Sequence, residues 1–149
     1  MWRLFVILFN AIVLFLVYGL PAESKDFHDN EYCLAEAIYF EGRGEPALGQ
    51  LAIANVILNR VKSPEYPNQA CLVVRNCQFS YYCDGKNERM TDKKAFRMAE
   101  KIAFFALDTA VVGDVEHAMF YHADYVKPYW ADKFKYLGQI GKHKFYKEN

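Results

Sequence analysis

No sign of charge dominates this 149-residue chain: 18 basic and 18 acidic residues cancel, so no global field steers it to nucleic acid. Histidine is scarce. None of the four falls at the i, i+4 spacing of H-E-x-x-H, which removes the usual helical zinc motif. There is no G-x-S-x-G elbow, no glycine-rich nucleotide loop and no heptad run, so the reading predicts no cofactor and no metal. Long hydrophobic runs are also absent, except for Leu4 to Leu20, which is interrupted by Asn10 and preceded by Arg3. That run reads as an export signal. Its 17 residues exceed an ordinary signal core of about 7 to 15 and fall short of the ~18 expected of a membrane span.

Cleavage after Ala22 is expected, with an uncleaved N-terminal anchor as the alternative and as the sole route to membrane contact. Removing residues 1–22 takes away Arg3 and no acid, leaving 17 basic against 18 acidic residues. Residues 23–30 are polar and read as a flexible lead-in. Residues 31–149 then form one domain, expected as a monomer outside the cytoplasm: periplasmic, in the cell envelope or extracellular.

Cys33, Cys71, Cys77 and Cys83 follow that export signal, and an even count in a small exported domain points to disulfides. Zinc is the competing reading. Cys77 and Cys83 have five residues between them rather than two to four, and no histidine follows at finger-like spacing. Three connectivities are open; the reading favours Cys77 with Cys83, closing the CQFSYYC loop, and Cys33 with Cys71.

The stretch Ala35 to Arg60 organises the rest. Leu34, Ala37, Ile38 and Glu41 fall at i, i+3, i+4 and i+7, so a helix would put Glu41 on its apolar stripe. Gly42, Gly44 and the Glu45-Pro46 pair should end that helix near Gly42. Glu41 then sits at a helix C-terminus, where the dipole opposes a carboxylate by roughly 0.3 to 1 kcal/mol. Burial beside Tyr39 and Phe40 pushes the same way, towards a retained proton. A general acid for glycoside cleavage needs that setting, while a structural ion pair with Arg43 or Arg60 is the bland alternative.

Pro46 to Lys62 reads as a buried central helix, with Asn55 and Asn59 on one face bonded to buried backbone near the Glu41 turn, a direct substrate role being the alternative. Asn68 is placed to cap a short helix through Arg75. Cys77 to Tyr82 reads as a small hairpin or loop ending at Asp84-Gly85. Thr91 to Val112 predicts a second long helix, capped by Thr91, with Phe96, Ala99, Ala103, Ala106 and Ala110 as a seam against the central helix, and Gly113 stopping it. The tail from His117 holds nine aromatics in 33 residues, and alternation in HAMFYHA and QIGKHKFY predicts two short strands. Tyr121, His122, Tyr125, Tyr129 and Trp130 are candidates to stack on sugar rings; a satellite aromatic core is the alternative.

IYFEGRGEPALGQLAIANVILNRVKSPEYPN, with CQFSYYCDG, FYHADYVKPYW and IGKHKFY, resembles the SleB/CwlJ-type cell wall hydrolases, which include spore cortex-lytic enzymes. The resemblance covers Cys33 to Tyr146. It implies that Glu41, the first glutamate of E-x-R-G-E, is the catalytic acid, although members commonly carry alanine where this chain has Gly42. It makes Gln78, Phe79 and Ser80, beside Tyr121 and His122, candidates for substrate binding. It implies an α+β, mainly α fold: a lysozyme-like helical core with a small β-hairpin region and two short C-terminal strands. The substrate it implies is the glycan strand of peptidoglycan, cut between N-acetylmuramic acid and N-acetylglucosamine. No second carboxylate is evident, so a lytic transglycosylase route stands first and a hydrolytic muramidase second. A non-catalytic wall-binding module, gripping glycan with the aromatic, lysine-rich tail, is the alternative from another class, and a zinc peptidase or amidase is more distant.

Overall fold

No glycine or proline falls between Glu23 and Gly42, so once nucleated the first helix propagates through the whole stretch. In a computed structural model, which describes residues 23–86, 89–109 and 113–149, this helix is α1 (Glu23–Gly42). The polar residues 23–30, expected as a flexible lead-in, are therefore its opening turns. Residues 1–22, with the apolar run, lie outside the described residues, as does Ala110. No described helix is long and apolar enough to cross a membrane.

Gly44 takes φ +91°, a left-handed turn open to glycine at little cost, and the chain reverses into α2 (Ala47–Lys62) after Pro46. Helix α2 is the central helix, with Leu51 to Ile57 buried without interruption. Leu34 and Ile38 of α1 meet Ile53, Val56 and Ile57 in a core completed by Val73, Val74 and Phe145. Each such side chain contributes about 1.5 to 3 kcal/mol by leaving water.

Cys33 of α1 is bonded to Cys71 of α3 (Ala70–Val73), and Cys77 to Cys83, which matches the favoured pairing and leaves no free thiol. Asn68 does not cap α3. The Ala70 N–H is instead satisfied by Asn30 Oδ1 of α1 at 3.0 Å, beside the disulfide. Cys77 to Tyr82 is not a hairpin either: a wide turn, Val74–Gln78, with Cys77 at φ +50°, leads into the single-turn helix α4 (Ser80–Cys83). The Cys77–Cys83 bond ties the two ends of that compact loop, which leaves no length for paired strands.

Helix α5 (Lys93–Asp108) is capped by Asp92 rather than Thr91, its Oδ1 accepting from Lys94 N and Ala95 N, both at 3.0 Å. Its seam of Ala99, Ala103 and Ala106 packs against both α1 and α2, with Phe96 edge-on to Tyr32 and Tyr39 of α1. After a short turn at Gly113–Val115 come β1 (Phe120–Ala123), β2 (Lys135–Ile140) and β3 (His143–Lys147), an antiparallel sheet in the order β1-β3-β2. The QIGKHKFY stretch, read as one strand, is the tip of the β2–β3 hairpin, because Gly141 adopts φ +57° and turns the chain.

The C-terminal end of α2 holds the sheet in place. Asn59 Nδ2 donates to the carbonyls of Glu116 (2.7 Å) and Ala118 (2.9 Å), and Arg60 Nε donates to Met119 O (2.9 Å). Asn59 thus binds the approach to β1 rather than the Glu41 turn. The buried Asn55 amide has no hydrogen-bond partner among the described residues.

Candidate active site

The end of α1, the loop around α4 and the strands β1 and β3 enclose a cleft of about 640 Å³. Glu41 enters it from the last turn of α1, half-buried, and Tyr121 of β1 donates its hydroxyl to Glu41 Oε2 at 3.2 Å. Burial raises the Glu41 pKa above its ordinary value of 4.5, and the Tyr121 hydrogen bond opposes that only in part. Tyr121 is held well above 10.0 by burial and then by the Glu41 charge, so it stays a donor. The ion pair with Arg43 or Arg60 is not formed among the described residues; Arg43 Nη1 donates to Tyr39 OH instead, at 3.1 Å.

Arg60 lies on the cleft floor, 6% exposed, with its guanidinium between the rings of Tyr66, Phe79 and Phe120 at 5.4 to 5.7 Å. Burial lowers its pKa. Phe79, Ser80 and Tyr81 form the opposing wall, with Tyr81 stacked on Phe40 at 4.6 Å. Of the expected binding residues, Phe79, Ser80, Tyr121 and His122 all line the cleft; the Gln78 side chain lies outside the described residues. The two nitrogens of His122 are engaged within the fold, Nδ1 donating to Ala123 O at 2.8 Å and Nε2 paired with Tyr146 OH at 3.0 Å.

The aromatic tail divides. Tyr125, 83% exposed, stands at the cleft rim, whereas Trp130 joins Phe120, Phe134 and Tyr146 in a satellite core. Tyr129 is exposed under Lys133 and lies away from the cleft. Glu45, Lys142 and His143 were not among the expected site residues. All three line the cleft: Lys142 N donates to Glu45 Oε2 at 2.9 Å, and His143 Nδ1 stands 3.7 Å from the same oxygen. Desolvation lowers the His143 pKa against the pull of Glu45. The sequence signals for this group were the E-x-R-G-E motif, which ends on Glu45, and the IGKHKFY motif, which holds Lys142 and His143.

A mainly helical α+β domain with a small sheet, closing a cleft around one desolvated glutamate, belongs to the lysozyme-like class. A family model described as cell wall hydrolase matches residues 44–146, beginning just after Glu41, and the chain belongs to that family. It is 37% identical over 114 residues to a spore cortex-lytic enzyme of Bacillus subtilis (strain 168), covering 75% of this chain and 35% of that protein. The chain thus spans about a third of the length of that relative. Among solved structures it is similar to the catalytic domain of the germination-specific lytic transglycosylase SleB from Bacillus anthracis (TM-score 0.67, 31% identity, 86% of this chain and 100% of that one). The catalytic domain of the Bacillus cereus SleB protein matches comparably, with TM-score 0.68 and 30% identity over 87% of this chain and 97% of that one.

Proposed function

We propose that this domain cuts the glycan strands of peptidoglycan between N-acetylmuramic acid and N-acetylglucosamine, as a lytic transglycosylase in which Glu41 is first the acid and then the base. The observation that carries the reading is the setting of Glu41: desolvated, on a cleft wall, with a hydroxyl at 3.2 Å to orient it. Glu41 passes its proton to the glycosidic oxygen as the bond to the muramyl C1 breaks. The C6 hydroxyl of the same sugar then bonds to C1, and its proton goes to Glu41.

Glu45, the other carboxylate on the cleft, has its Oε2 engaged by the Lys142 N–H, which favours a nucleophile supplied by the substrate over a second carboxylate. Tyr121 and Tyr125 offer surfaces for sugar rings, Phe79 backs the wall as a buried ring under Arg60, and Ser80 and His122 complete it, with Gln78 assigned by resemblance. The name of the Bacillus anthracis neighbour supports the same chemistry.

Mass spectrometry of the products from purified walls tests the assignment. 1,6-Anhydromuramyl ends, lighter than reducing ends by one water, are expected. Reducing ends alone would select a muramidase, and binding without cleavage a wall-binding module. A wall substrate lies outside the cytoplasm, and the Leu4 to Leu20 run supplies an export signal. The mature chain should therefore begin at or near Glu23; intact Met1 in the membrane fraction would select the anchored form.

A further inference from the structure

Glu45 is buried in a way that its place in a turn does not require. Its side chain is 7% exposed, and a carboxylate withdrawn from water must be compensated by close partners. The partners come from the far end of the chain. Lys142 N donates to Oε2 at 2.9 Å, and His143 Nδ1 stands 3.7 Å from the same oxygen, beside it but too far for a hydrogen bond. The backbone is pared away to admit it: at Gly141 a Cβ would collide with Glu45 Oε2, and at Gly49 a Cβ would stand 3.4 Å from it. Gln50 Nε2 fixes the other side of the turn by donating to Glu45 O at 3.1 Å.

The residues it holds lead straight to the acid. The Lys142 carbonyl accepts from Asp124 N at 2.7 Å, which ties the hairpin tip to the residue that follows β1. His143 opens β3 in register with Ala123, and its ring meets Tyr121 edge-on at 5.2 Å. Tyr121 in turn donates to Glu41, which ends the helix from which the Glu45 turn departs. We propose that Glu45 is a positioning residue, whose buried carboxylate clamps the β2–β3 tip to the α1–α2 turn and thereby sets Tyr121 against Glu41. The proposal rests on the glycosidase reading for its consequence in rate. Its geometry is testable without that reading.

Two substitutions separate the clamp from direct chemistry. Glu45→Gln keeps an acceptor for the Lys142 N–H, whereas Glu45→Ala keeps none. On soluble glycan strands, Glu45→Ala should lower kcat by about ten- to a hundredfold, the scale of an ångström-sized misplacement, with KM little changed. Glu45→Gln should recover most of that loss. Amide hydrogen exchange should find Lys142 protected in the parent and in Glu45→Gln, and freely exchanging in Glu45→Ala. Parental kcat in folded Glu45→Ala would overturn the proposal, as would equal damage in both variants, since the charge itself would then be what matters. If Glu45→Ala does not fold, the parent decides: a Lys142 amide exchanging like an unstructured peptide refutes the clamp, and a protected one upholds it. A parent protein that cleaves no glycan would sink the glycosidase reading while leaving the exchange experiment to judge the clamp.

Discussion

Glu41→Gln should reduce wall cleavage by about two to four orders of magnitude while the domain stays folded, because glutamine keeps the acceptor for Tyr121 but has no proton to deliver. The same substitution should not cost stability at neutral pH. Glu41 has a folded pKa raised above 4.5, so its favourable contribution is present below that value and is lost as pH rises through the raised one. Above the raised pKa the ionised, desolvated side chain is a liability that glutamine lacks. Thermal unfolding should therefore place the Glu41→Gln Tm at or above the parent near neutrality, with the gap closing as pH falls below about 4.5. Activity should fall on the alkaline side as Glu41 loses its proton. A Glu41→Gln protein that clears walls at the parental rate would remove Glu41 from the chemistry.

Loss of the Cys33–Cys71 bond should be the most damaging change to stability. The two residues are separated by 38 positions, and closing a loop of that size is worth about 4 kcal/mol in the chain-entropy account. A domain of this size has a total of about 5 to 15 kcal/mol. The bond joins α1 to α3 at the base of the core, and Cys33 is 1% exposed, so a Cys33→Ala/Cys71→Ala double variant avoids burying an extra hydroxyl. Denaturant titration should show the midpoint falling sharply. Cys77–Cys83, with a separation of 6, should contribute about 2 kcal/mol by the same account. Equal midpoints for parent and double variant would refute the structural role of the longer bridge.

Much of this was legible because it was local. The i, i+3, i+4, i+7 pattern from Leu34 to Glu41 and the glycines after it located both the end of α1 and the acid on its buried face. The central helix followed from an apolar run with Pro46 before it. Thr91 and Asp92 are adjacent and both suit a cap, and the choice depends on which side chain reaches the N–H groups of Lys94 and Ala95. In the Cys77 to Tyr82 stretch, aromatic richness mimicked strand propensity, although a disulfide-closed loop was what it had to build. The contacts that complete the site are distant: Tyr121 is 80 positions from Glu41, and Lys142 is 97 from Glu45. No periodicity reports such pairings. Nor does it report that His122 turns both ring nitrogens inward while its neighbour Tyr121 faces the acid.

The 80-position gap between Glu41 and Tyr121 has a temporal side. During synthesis Glu41 emerges 80 residues before Tyr121, and β3 later still. A polypeptide cut or stalled before β1 carries Glu41 and the loop around α4 but neither β1 nor β3, and so lacks one side of the cleft. The cleft therefore does not exist until β3 has been made and has folded back beside α1, however early Glu41 itself is in place.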